Sequence, residues 1–406
     1  MIEETNTAEP TKIWNKNFIS VMSANFLLGL AHFSVNPLVA TYAEYLDANH
    51  AMIGFLAGMF FLVALAMRPF SGPVTTKIDN RKLLVFAFIL GAIANLGYAM
   101  FQYIPAFIFF RVIHGVQFSL IGMLLMILAA NHLPPTKIVA GMGIFGIGAA
   151  ISSAVAPAIG ELILTFGTAY RGEAFGFSLM FLFGSVVSII AIIPSLIIAP
   201  DRKTAEDIKN AGAWYKNVLS KHAVLLAFIV FLMMVPFAMV SSYMFDFGRE
   251  QDIPGISIFY LVLALALAAS RPFSGMLTDK FGLGQTMFPG LVIYAASLII
   301  IGSSTTFGMV IVGAVVVAIG YGAVMPPLQA MCMQMETPVR RGVASNTLYI
   351  GLDLGLFIGP VIGGFVRELA DFALMFKASS IAVVAAIVML AIMLPQYHRR
   401  LNDLSK

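Results

Sequence analysis

Long apolar stretches alternate with short polar connectors along this chain. A helix that crosses a membrane takes about 20 mostly apolar residues. Twelve stretches meet that length. They lie near 17–41, 51–76, 83–103, 105–132, 138–166 and 174–199, then near 222–247, 254–279, 285–304, 306–335, 341–367 and 371–395. Lipid offers no water to unpaired N–H and C=O groups, so each stretch is expected to be a helix. The fold class is therefore an all-α membrane protein with twelve transmembrane helices. Residues 200–221 form the only long polar connector. The expected parts are an N-tail (1–16), a six-helix bundle (17–199), a central loop (200–221), a second bundle (222–395) and a C-tail (396–406).

The pattern is written twice. Arg68-Pro69-Phe70-Ser71-Gly72 returns as Arg271-Pro272-Phe273-Ser274-Gly275, an offset of 271 − 68 = 203, half of the 406 residues. The same offset sets Thr75 and Lys77 opposite Thr278 and Lys280. It also sets Pro135, Gly148, Pro157 and Gly160 opposite Pro338, Gly351, Pro360 and Gly363. A fixed-period self-match of this kind marks a duplicated structural unit. Two pseudo-symmetric halves are expected.

Basic residues then orient the chain. Alternate connectors hold Lys12, Lys16, Lys77, Arg81, Lys82, Lys137, the 201–221 segment, Lys280, Arg340, Arg341, Arg399, Arg400 and Lys406. The opposite set holds Arg171, Arg249, Arg367 and Lys377. Cytoplasmic connectors carry the excess of Lys and Arg. Both termini and residues 200–221 are thus expected in the cytoplasm, with the protein multi-pass in the plasma (inner) membrane. The polar start, with Glu3, Glu4 and Glu9, lacks the basic-then-apolar order of a cleaved signal peptide. Within the central loop, Ile208, Ala211, Tyr215 and Val218 recur at helical spacing. Either a short helix on the membrane surface or a solvated linker fits.

Composition agrees with a bilayer as solvent. Charged residues make up 11% and apolar ones 60%, against about 25% charged in soluble domains. A formal charge of +4 gives no nucleic-acid signal. Cys332 is the single cysteine, which excludes an internal disulfide and a multi-cysteine metal site. No cofactor or metal is expected. The chain holds no G-x-x-x-x-G-K-[ST] loop and no H-E-x-x-H, so ATP hydrolysis and zinc proteolysis have no support, and it is not read as an enzyme.

Twelve spans in two sixes, a long central loop and a glycine-led basic loop after spans 2 and 8 resemble the major facilitator superfamily over nearly the whole chain. Three motifs carry the resemblance. The first is that family's G-x-L-A-D-R-x-G-R-K loop, here Gly72-Pro73-Val74-Thr75-Thr76-Lys77-Ile78-Asp79-Asn80-Arg81-Lys82. Thr76 replaces the usual acid; it can cap a helix but brings no charge. The second copy, from Gly275 to Gly282, keeps the acid as Asp279. The resemblance implies a conformational latch at Arg68, Gly72, Lys77, Arg81, Arg271, Gly275, Asp279 and Lys280. The second motif, R-x-x-x-G in span 4, is Arg111 to Gly115. Arginine inside a span is costly and rarely faces lipid. The resemblance implies proton coupling; an arginine that ties helices together by hydrogen bonds is the alternative. The third motif resembles the exporters' G-x-x-x-G-P-x-x-G-G. It is degraded in span 5 at Gly148, Pro157 and Gly160, and fuller in span 11 at Gly351, Gly355, Gly359, Pro360 and Gly363. Glycines four apart let helices touch closely.

The family's substrate cavity is lined by spans 1, 4, 7 and 10, near the midplane between the halves. Span 1 offers Asn25, His32 and Asn36, spaced 7 and 4 apart on one face. Spans 4, 7 and 10 add His114, Gln117, Tyr243, Tyr321 and Gln329. The 34 Phe and 24 Met suit an adaptable apolar cavity as well as plain packing. Acids in spans are few, and Asp353 alone lies near a span centre, two residues from both Gly351 and Gly355. It is expected to point away from that glycine ridge, into its own half or toward the cavity, with Arg271 the nearest basic partner by depth. Asp353, Arg111, Glu161 and His32 are the proton-coupling candidates.

The sequence thus points to a secondary transporter of a small organic solute that works by alternating access with proton coupling, export favoured over uptake or uniport. A non-transporting sensor would be expected to carry an added soluble signalling domain, for which the sequence offers no stretch. The expected partners are a small-molecule substrate, protons and the lipid bilayer, with no nucleic acid, and the expected state is a monomer.

Overall fold

A computed structural model describes residues 12–48, 50–201, 203–204, 213–256 and 258–404. Among them, twelve helices of 18 residues or more follow one another: α1 (Lys16–Val35), α2 (His50–Lys77), α3 (Asn80–Met100), α4 (Ile104–Asn131), α5 (Ile138–Arg171), α6 (Glu173–Ile190), α7 (Val224–Glu250), α8 (Ile258–Phe281), α9 (Leu283–Gly302), α10 (Phe307–Gln334), α11 (Arg341–Leu369) and α12 (Phe372–Leu404). All but α2 also qualify as membrane spans by length and composition. Each lies within a few residues of an apolar stretch read from the sequence. Local chemistry sets several ends. Asn15 accepts from the Phe18 amide and caps α1, and Asp79 accepts from the Arg81 amide and caps α3. Gly172 and Gly282, at φ 87° and 92°, make the turns into α6 and α9.

One expectation needs correction here. Thr76 caps nothing; its hydroxyl donates back to Pro73 O inside α2, and Asp79 does the capping. Beyond residue 395 the chain continues as helix. Helix α12 runs through Pro395 to Leu404, and Arg400 Nε donates to Met335 O at 3.1 Å. In the central loop, Ile208 and Ala211 lie outside the described residues. Where description resumes, Trp214–Asn217 forms a short 3-10 turn, and Asn217 and Ser220 are fully buried.

Packing follows the repeat. α1 packs on α5 as α7 packs on α11, and α3 packs on α4 and α6 as α9 packs on α10 and α12. The two sets of six meet through α2 against α11 and α5 against α8. Lipid tails are as apolar as leucine, so close van der Waals contact between helices supplies the drive. Small residues make it possible. A Cβ on Gly351 would run into Ala227 O of α7, and one on Gly359 would meet Val235 O at 2.5 Å. In the other half, Gly160 lies as tightly against Ser34 O of α1.

The first and last described residues, Lys12 and Leu404, lie toward one end of the molecule, the termini end, where Asn15 Nδ2 donates to His132 O and Arg400 meets Met335. Among the described residues, every hydrogen bond between the two sets of helices falls between this end and the middle. Arg341 Nη1 donates to Asn131 Oδ1 at 2.6 Å, Ser345 Oγ to Met123 O at 3.5 Å, and Asn346 Nδ2 to Arg68 O at 2.7 Å. Further along α11, Phe357, Val361 and Phe365 are exposed. The protein is closed at the termini end.

The collision at Gly351 gives a stability prediction. Gly351→Val should lower the melting temperature of the purified protein, because overpacking a tight contact costs about 1–3 kcal/mol. Gly308, around which nothing lies within 4 Å, is the control: Gly308→Ala should melt as wild type does. Equal melting of all three would show that the α7–α11 contact has room.

Candidate functional site

Intramembrane polar groups are expensive, so their positions mark what the fold has been built to hold. The main group lies between the two sets of helices. Arg68, nine residues before the end of α2, is 1% exposed, and Asp353 of α11 is 0% exposed. Asp353 Oδ2 accepts from Arg68 Nε at 2.8 Å and lies 2.8 Å from Nη2. Arg68 Nη1 donates to Ser119 O of α4 at 2.6 Å. The Tyr349 ring covers the guanidinium, its centroid 5.0 Å from the central carbon. Tyr349 itself fits because α4 has a glycine there: a Cβ on Gly122 would meet its ring and hydroxyl at 3.0 Å. Tyr321 of α10 and Arg271 of α8 complete the set of charged and phenolic groups around Tyr349.

Asp353 therefore does point away from the glycine ridge, which packs on α7. It does not turn into its own half. It crosses to the other set of helices and pairs with Arg68, not with Arg271. The sequence assigned Arg68 and Arg271 to a conformational latch; both stand within the helices expected for them, and Arg68 is taken up by Asp353. Of the remaining latch residues, Gly72 packs against Asn217 O and Asn346, and Gly275 lies against Ala140 of α5. Lys77, Asp279 and Lys280 are exposed, and Asp279 makes no ion pair among the described residues. Lys77 and Arg81 line a cleft of about 800 Å³ together with Lys82 and Lys203. That cleft faces the aqueous surface at the termini end and is remote from the buried charges.

A second polar group lies within the first six helices. Arg111 donates through Nε to Leu56 O and through Nη2 to Asn36 Oδ1, each at 3.2 Å. Its charge sits over the Phe60 ring at 5.0 Å. His32 stacks on Phe118 at 5.4 Å and lies 6.3 Å from the His114 ring. The Tyr98 hydroxyl is 3.4 Å from His114 Nδ1. The structure thus brings Asn36, His32, Arg111 and His114 together, with Tyr98 and Phe60 as members the sequence did not single out. Gln117 packs against Gly91.

Other candidates are spoken for or lie apart. Asn25 Nδ2 donates to Phe145 O and joins α1 to α5. Tyr243 donates to Pro360 O at 2.7 Å and joins α7 to α11. Tyr321 stacks on Phe237 at 5.0 Å. Gln329 is half-buried, and Glu161 is exposed. Among the described residues no group of His, Cys, Asp and Glu could hold a metal.

Two six-helix sets, meeting along paired helices with buried charges at the seam, define a polytopic membrane carrier. The model of the Major Facilitator Superfamily matches residues 21–273 and 251–405, and the chain belongs to that family. It is 22% identical over 388 residues to an MFS-type transporter of Methanocaldococcus jannaschii, covering 93% of this chain and 96% of that one. It is 20% identical over 381 residues to the staphylopine export protein of Staphylococcus aureus, covering 90% and 94%. Among solved structures, the human organic anion transporter MFSD10 superposes with a TM-score of 0.79 at 15% identity, covering 92% of this chain and 99% of that one. The fold expected from the sequence is the fold found.

Arg111 carries the prediction for this site. Arg111→Ala is expected to abolish substrate-driven proton flux in proteoliposomes while the protein still inserts and purifies. Arg111→Lys should restore little, because an ammonium cannot hold Asn36 Oδ1 and Leu56 O as a planar fork does. Near-normal flux in Arg111→Ala would reduce the residue to a tie between α1, α2 and α4.

Proposed function

We propose that this transporter is a proton-coupled exporter of a small organic solute, with the Arg68–Asp353 pair as its coupling element. The observation that carries the reading is that this pair spans the seam which must open for alternating access. Placing the solute site at the seam agrees with repeat transporters in general. With Asp353 ionised, Arg68 is held, and α2 and α11 stay together at the termini end. A proton on Asp353 removes the charge that holds Arg68 and frees the seam to part. Loss of that proton re-forms the pair and closes it. Read with the termini in the cytoplasm, the closed end faces inward and the solute path opens outward. The similarity to a staphylopine export protein favours export; uptake or uniport is the other direction the same fold supports.

Two experiments test this. In proteoliposomes loaded with a pH-sensitive dye, a panel of small organic solutes should elicit proton flux from the wild type. Asp353→Asn keeps the size of the side chain but cannot lose a proton. It should stop accumulation driven by a pH gradient while leaving solute exchange intact. Survival of gradient-driven accumulation in Asp353→Asn would remove Asp353 as carrier and turn attention to His32 and Glu161.

The orientation is tested separately. Lys82 lies at the termini end and Thr305 at the opposite end, and both are exposed. In intact cells an impermeant thiol reagent should label Thr305→Cys and leave Lys82→Cys untouched until the membrane is permeabilised. The reverse pattern would invert the protein and with it the inferred direction of opening.

A further inference from the structure

The two RPFSG arginines occupy equivalent places in the repeat but have different surroundings. Arg68 is met by three residues of α11: Asn346 bonds its carbonyl at 2.7 Å, Tyr349 covers its guanidinium, and Asp353 neutralises it. They are spaced 3 and 4 apart and so share one helix face. Subtracting the repeat offset of 271 − 68 = 203 gives Gly143, Gly146 and Ala150 on α5. All three side chains that receive Arg68 are missing where Arg271 lies. A Cβ on Gly143 would meet Arg271 O at 2.6 Å, and one on Gly146 would collide with the guanidinium. Arg271 therefore lies against bare helix backbone.

Among the described residues, Arg271 makes no hydrogen bond or ion pair, and its Nε is buried without an acceptor. The side chain is half-buried. Its neighbours are the phenols Tyr321 and Tyr349. A guanidinium at this depth without a counter-charge is costly. The fold has removed the counter-charge on one side of the repeat while keeping it on the other.

We propose that Arg271 is the anchor for an anionic group, a carboxylate or phosphate, of a soluble organic solute carried by this protein. The inference rests on the reading of the protein as a solute transporter and names the class of solute. The guanidinium offers a planar pair of donors suited to carboxylate or phosphate oxygens. Tyr321 and Tyr349 flank it with phenolic groups that can bond or stack on the rest of the solute. The place lies between α5, α8, α10 and α11, in line with the Arg68–Asp353 pair across Tyr349. An anion there would be held by one arginine while the other is held by Asp353.

The test uses benzoate, its neutral analogue benzamide, and inorganic phosphate as probes on purified protein in detergent, at constant ionic strength. Benzoate and phosphate should raise the melting temperature of the wild type saturably, and benzamide should not. Arg271→Gln should raise the half-saturating anion concentration more than about tenfold, the factor set by losing one hydrogen bond to a charged group. Ala150→Asp, which rebuilds the missing partner, should abolish the anion effect from the other side of the seam. Arg271→Lys should retain part of it. These variants sit on different helices, so a folding defect in one leaves the others to decide. An unshifted wild type, or an unchanged response in Arg271→Gln and Ala150→Asp, would overturn the proposal. So would a shift produced by phosphatidylglycerol micelles alone, since the site would then belong to lipid. Anion dependence without substrate-driven proton flux would keep the anion site and sink the transporter reading; flux without anion dependence would do the opposite.

Discussion

Two opposite charges 2.8 Å apart, sealed at the seam of an apolar protein, set the terms for the rest of the molecule. At an effective dielectric of about 20 their attraction is about 6 kcal/mol, while stripping water from each ion costs several kcal/mol. The pair is close to break-even when made and strongly unfavourable when half-made, because removing one partner leaves the other buried and bare. Such a balance suits a device that must form and dissolve repeatedly. Its surroundings keep the geometry tight. Ser119 O takes the third side of the guanidinium, Tyr349 covers its face, and the fit of Gly342 against Thr75 brings α11 close to α2.

The duplication explains why the seam has two sides, and divergence explains why they differ. The α2–α11 side is laced by side-chain bonds from Asn131 to Asp353. The α5–α8 side is closed by backbone contact at Gly143, Gly275 and Ala140. A contact of backbone on backbone is made or lost over a very short displacement and carries no net charge. A laced contact has chemical sensitivity. One copy of the repeat neutralises its arginine across the seam, and the other leaves its arginine without an ion pair among the described residues.

The fold was legible because membrane helices declare themselves through composition over some twenty residues, and because the repeat lies in a single ungapped register. The seam pair was not. Arg68 and Asp353 are 285 residues apart, and depth along a helix says nothing about rotation around it. Depth alone made Arg271 the nearest partner; rotation places Arg68 there. A usable signal was present in the repeat itself, since Asp353 stands opposite Ala150 and Tyr349 opposite Gly146. The Arg111 group was partly readable, because Asn36 and His32 share a face of α1, but Tyr98 came from α3 and had no motif to flag it. Thr76 misled because capping ability is a property of a residue type, while the cap at that corner belongs to Asp79, which also accepts from the Asp201 amide.

The connector between the halves adds a mechanical consequence. Where it rejoins the bundle, Val218 O accepts from Asn346 at 3.3 Å, Arg340 donates to Asn217 at 2.9 Å, and the Asn217 carbonyl presses on Gly72. This short peptide is wedged into the same corner as the closed seam, and parting that corner requires the wedge to come out. The tether is therefore a doorstop, with Tyr215 and Leu219 exposed beside the buried Asn217 and Ser220. A binding protein that gripped it would arrest the cycle in one posture without competing for cargo, and splitting the chain within it would loosen the door even with both halves intact.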